Sequence, residues 1–96
     1  QDHRLLGELT WNTFRNHLVL EYEIVKYEGD LVTPNLYVPL DEATCARKIE
    51  LLEKHFGSQR NRHWFEPELF RSLLRIRGVE CASRYAEAFH AAKVVL

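Results

Sequence analysis

The sequence predicts an α/β fold, and three observations carry that prediction. Helical and extended patterns follow one another as helix, strand, short strand, helix, helix, strand, an alternation typical of sheet domains with helices against their faces. The strand pattern at residues 17–26 is apolar on both faces over its first half, as in a buried strand. Hydrophobic residues make up 46% of the 96-residue chain and charged residues 28%, a balance that supports a packed core and excludes disorder.

Residues 4–15 read as a helix, because Leu5, Leu6, Leu9, Thr13 and Phe14 recur near helical spacing; Gly7 weakens it. In residues 17–26, Leu18, Leu20, Tyr22 and Ile24 alternate with Val19, Glu21, Glu23 and Val25. Gly29-Asp30 and Pro34-Asn35 mark residues 27–35 as a loop. Leu36 to Leu40 is a short extended segment. Asp41 is placed to cap the next helix, whose apolar stripe is Cys45, Ile49, Leu52 and Phe56 and whose stop is Gly57. Residues 58–65 form a polar loop, and Pro67 suits the first turn of a further helix. That helix buries Leu69, Phe70, Leu73 and Leu74 and is expected to end at Gly78. Residues 85–95 read as a closing strand with Ala86, Ala88, Ala92 and Val94 on one face.

Charge and composition narrow the classes. Thirteen basic residues against 14 acidic ones leave a formal net charge of -1, which provides no strong field for nucleic acid or anionic lipid. No apolar run is long enough to span a bilayer, and no secretory signal opens the sequence. Cys45 and Cys81 lack CxxC spacing; they read as free, partly buried thiols in a reducing, cytoplasmic setting. The chain contains no methionine and starts at Gln1, so residues 1–96 are expected to form a single partial domain of a longer protein.

Few residues stand out for chemistry on their own. His3 follows Asp2 just before the first helical pattern; an imidazole beside a carboxylate is a metal donor by type, and equally an ordinary surface histidine near a fraying terminus. His17, His55, His63 and His90 are scattered without helical zinc-pair spacing. Arg60, Arg62, His63 and Trp64 share a basic, aromatic loop, able to hold an anionic group by charge and stacking or simply to be solvated and pinned by Trp64 and Phe65. No nucleophile with a matching base and no glycine-rich phosphate loop is present.

Four stretches taken together resemble the LmbE/PIG-L family of zinc-dependent N-deacetylases. Gln1-Asp2-His3-Arg4 resembles the end of that family's His-x-Asp-His motif. Glu21-Tyr22-Glu23-Ile24 precedes Thr33-Pro34-Asn35-Leu36-Tyr37-Val38, and Lys48-Ile49-Glu50-Leu51-Leu52 precedes Ser58-Gln59. Leu74-Arg75-Ile76-Arg77-Gly78-Val79-Glu80 closes with Tyr85-Ala86-Glu87-Ala88-Phe89. Order and spacing, more than any one piece, carry the likeness, which covers nearly the whole chain. The family's His-Pro-Asp-Asp-Glu signature is absent from these residues.

The resemblance implies the C-terminal part of a Rossmann-like, mostly parallel sheet flanked by helices, with a zinc site at the strand ends. It makes His3 a zinc ligand, Asp2 a residue that orients a neighbouring histidine, and Tyr85 a residue near the pocket. The other ligands, the general base and the assisting histidine belong to the missing N-terminal portion of the same protein. Bound zinc would lower the pKa of a water towards about 7, supplying hydroxide to attack an acetamide carbonyl. The C–N bond then breaks as an acid protonates the departing amine, and acetate is released. The implied substrate is an N-acetylglucosaminyl compound, an N-acetylated sugar or sugar conjugate, and the chain alone is expected to be inactive. The alternative is a non-catalytic α/β binding or interaction module that uses the 60–65 loop. A third reading is a structural piece stable only when docked on other polypeptide. Self-association into a homo-oligomer is left open.

Overall fold

The computed structural model describes residues 2–25, 31, 33–57 and 66–96. Six elements follow in chain order: α1 (Asp2–Thr13), β1 (Val19–Tyr22), β2 (Leu36–Leu40), α2 (Glu42–His55), α3 (Pro67–Glu80) and β3 (Tyr85–Lys93). The order matches the sequence pattern; the sheet does not. The three strands lie in the order β1-β3-β2, and β3 pairs antiparallel with both neighbours. The expected Rossmann-like, mostly parallel sheet is therefore overturned for these residues. The connection explains the reversal. A single helix returns the chain to the start of its strand, so that the next strand runs parallel. Here two helices, α2 and α3, separate β2 from β3, and the second carries the chain out again.

Local chemistry fixes the helix ends. Asp41 is extended, and its Oδ1 accepts the Thr44 N–H at 2.7 Å, starting α2 as expected. The Thr44 side chain and its backbone N–H together hold the Asp41 carboxyl below the usual carboxylate range. Lys54 and His55 occupy the last turn of α2, where positive charge suits the helix dipole. Pro67 opens α3, at a position where its missing N–H costs nothing.

The core lies between α2, α3 and the sheet. Cys45 and Ile49 from α2, Phe70 and Leu74 from α3, and Tyr85 from β3 are buried together, with Ile24, Leu40 and Leu52 packed against them. Each fully buried large apolar side chain contributes about 1.5–3 kcal/mol by leaving water. Phe56, assigned to the α2 stripe by spacing, is 54% exposed, because the helix ends at His55 and the stripe ends with it.

Gly78 does not stop α3; the helix continues to Glu80. The glycine is there for close approach. A Cβ built on it would lie 2.5 Å from the Arg84 carbonyl oxygen. The Gly78 carbonyl accepts the Cys81 N–H at 3.1 Å and the Ser83 N–H at 2.9 Å. Ala82 takes φ 59° in the turn between, a left-handed conformation unusual for a residue with a Cβ. This compact turn sets β3 directly against the end of α3.

One polar network locks the same region. Arg77, on the buried row with Phe70 and Leu74, grips Glu23 bidentately: Nε donates to Oε1 at 2.7 Å and Nη2 to Oε2 at 2.8 Å. Their side chains are only 8% and 10% exposed. Arg77 Nη1 also donates to Glu80 at 2.9 Å, and the Tyr37 hydroxyl donates to the same Glu80 oxygen at 3.0 Å. The Arg77 and Tyr37 bonds keep the Glu80 carboxyl below its usual range. Desolvation and the bond to Glu80 push the Tyr37 phenol up. The segment after β1, β2 and α3 are thus joined through the Arg77–Glu80 pair.

α1 stands apart. Leu5, Leu6 and Leu9, which recur at helical spacing, are 57%, 60% and 51% exposed, and Trp11 and Phe14 are also exposed. β1 is four residues long, shorter than the pattern at residues 17–26, and Leu18 and Leu20 are exposed. Despite its both-face apolarity, β1 is an edge strand of the sheet rather than a buried one.

Candidate functional site

The residues singled out by sequence fall in different parts of the molecule. Backbone geometry places Asp2 and His3 in the first turn of α1; their side chains lie outside the described residues, as do Arg60, Arg62, His63 and Trp64 of the basic loop. Tyr85 is described fully. It opens β3, buried against α2 and α3.

Tyr85 sits among cations. Its hydroxyl oxygen accepts from Arg71 Nη1 at 3.3 Å, and the same nitrogen donates to Glu42 at 2.6 Å. The Arg71 guanidinium lies 5.6 Å from the ring centre and that of Arg84 5.5 Å, within cation–π range. With the hydroxyl oxygen accepting from Arg71, its proton remains available for donation. The bonds to Tyr85 and Glu42 hold the Arg71 guanidinium firmly protonated.

Two open grooves flank α2. The first, about 370 Å³, has Leu40, Leu51, Leu52 and Phe56 as its apolar lining and Lys48, paired with Glu87, among its polar residues. The second, about 450 Å³, is lined by Ala46, Ile49, Glu50, Glu53, Lys54 and Arg71. Tyr85 lines neither groove; it stands behind Arg71, which does reach the second. Sequence reading did not single out Arg71, Arg77 or Glu23. A signal existed for Arg77: a charged side chain in register with Phe70 and Leu74 on an otherwise apolar helix row calls for a buried acid.

A zinc ion requires three or four donors gathered around one point. His3 is a suitable donor by chemistry. Among the described residues, however, no group of three or more His, Cys, Asp or Glu side chains is arranged to hold a metal. These residues do not make up a zinc site by themselves, and no catalytic step follows from them. Cys45 and Cys81 are unpaired thiols; burial raises the pKa of Cys45. No described helix is long and apolar enough to cross a membrane.

No protein-family model, no curated protein and no solved structure matches the chain.

Proposed function

We propose that this chain is a C-terminal part of a zinc-dependent hydrolase that removes the acetyl group from an N-acetylglucosaminyl-type substrate, with His3 as one zinc ligand. The reading rests on the resemblance in four stretches, and one structural observation supports treating them as a unit. Glu23 and Tyr37 come from the second stretch and Arg77 and Glu80 from the fourth, and they meet in one partly buried network. The exposed Leu5, Leu6 and Leu9 on the helix that carries His3 favour packing against further polypeptide, as a site shared with an N-terminal portion requires. The antiparallel sheet contradicts the parallel Rossmann-like arrangement that the resemblance implied, so the reading rests on the sequence stretches alone. A cytoplasmic setting belongs to the same proposal.

The test is acetate release from N-acetylglucosaminyl compounds by the natural protein that contains these residues. Activity that disappears with a zinc chelator and returns with zinc is the expected outcome. Absence of acetate release, or release indifferent to chelation, overturns the proposal.

A further inference from the structure

Isolated helices of about 12 residues are marginal in water, and α1 has 12 residues, with those at 4–9 and 11–13 exposed. Something other than apolar burial must hold it. Its C-terminal end shows what does. The last carbonyls of a helix lack partners within it, and a cation there is favourable. α2 and α3 each carry a basic residue in their last turn, whereas α1 has none. Lys93, the final residue of β3, fills the gap from across the sheet. Its Nζ donates to the carbonyls of Trp11 at 3.4 Å, Phe14 at 3.2 Å and Arg15 at 3.1 Å. The same ammonium lies 4.2 Å from the centre of a Trp11 ring. Three donors and one charge are all in use.

The sheet is shaped to deliver this side chain. Val19 pairs with Lys93, and the β1–β3 register shifts between Val19 and Leu20; such irregularities re-aim a side chain at a strand end. Among the described residues, the other polar contacts of α1 stay inside it or the turn that follows: Arg4 with Glu8, Thr10 with Leu6, and Arg15 with Asn12.

We infer that Lys93 is a positioning residue: it anchors the C-terminal end of α1 to β3 and so sets where the first turn, with His3, can lie. The consequence for His3 rests on the proposed function; the anchoring does not. Eight residues of helix separate His3 from Trp11, about 12 Å at 1.5 Å per residue, so a swing at the anchored end is carried to the first turn.

The experiment uses the full chain with Lys93 as found, Lys93→Met, which keeps the stem but loses the donors, and Lys93→Arg, which keeps donors and charge. Residue-resolved amide exchange, read without metal, is expected to show α1 exchanging at least about tenfold faster in the Met variant, α3 and β3 unchanged, and the Arg variant close to the original. Unchanged α1 exchange in the Met variant, or equal loss throughout α3 and β3, overturns the anchoring. Zinc affinity of the natural protein with the same substitutions then reads the consequence for His3. About tenfold weakening in Met with rescue by Arg is expected. A loosened α1 with unchanged zinc affinity overturns the positioning role but leaves the zinc reading intact. No zinc binding by any of the three proteins overturns the proposed function and the positioning role together, while the anchoring stands.

Discussion

The α3–β3 region and α1 are built on opposite principles. α3 and β3 share a buried core, a glycine contact too tight for a Cβ, and an arginine that binds a strand-side glutamate with both arms of its guanidinium. α1 exposes its leucines and is tied down by a lysine at one end. The first region spends its sequence on its own stability. The second keeps apolar side chains on a surface where they do little for this chain. The residue proposed to bind metal lies on that second helix, the residues that resist unfolding on the first.

Cutting the buried pair should give the largest difference between the regions. Arg77→Met leaves Glu23 buried without its cation and is expected to cost about 3–5 kcal/mol in urea unfolding. Adding Glu23→Leu should recover part of that loss, because no charge is then stranded. Next in size is Gly78→Ala, which forces a methyl group against the Arg84 carbonyl; about 1–3 kcal/mol of destabilisation is expected. A loss below about 0.3 kcal/mol would mean that the turn at Ala82 gives way easily.

Acid should also act on the packed region first. Asp41 and Glu80 are both held below their ordinary pKa by hydrogen bonds to the charged form, from Thr44 and from Arg77 and Tyr37 respectively. Their contribution is present above the unfolded carboxylate range of about 3.9–4.3 and is lost as pH falls through the lower folded values, since the unfolded chain takes up protons first. Stability measured from pH 6 downward should therefore decline from about pH 5, with a shallower slope in Glu80→Gln. An unchanged slope would show that the Tyr37–Glu80–Arg77 contact is not maintained in solution. The smallest effect is reserved for α1: Leu6→Ser should change stability by less than about 0.5 kcal/mol. A loss above about 1 kcal/mol would place this leucine in a packed interface and erase the contrast.

Much of the local structure was legible in the sequence. Asp41 as a cap, Pro67 at a helix start and the Cys45–Ile49 row were readable because each depends on neighbours within one or two turns. Strand direction was not, since it depends on how α2 and α3 together return the chain, and the parallel expectation came from the family resemblance rather than from any local pattern. Gly78 looked like a helix stop because its other use, contact with a backbone six residues later, leaves no trace in local spacing. Lys93 could not have been singled out: its partners are about 80 residues away in sequence. Tyr85, named through the resemblance, lines neither groove; Arg71, which bonds to it and lines the second, left no local signal.

The most direct check is the zinc content of the natural protein purified with His3 intact and with His3→Ala. The account predicts stoichiometric zinc in the first and loss of most of it in the second, with β3 and α3 exchange unchanged. Equal zinc in both proteins, or none in either, would contradict it.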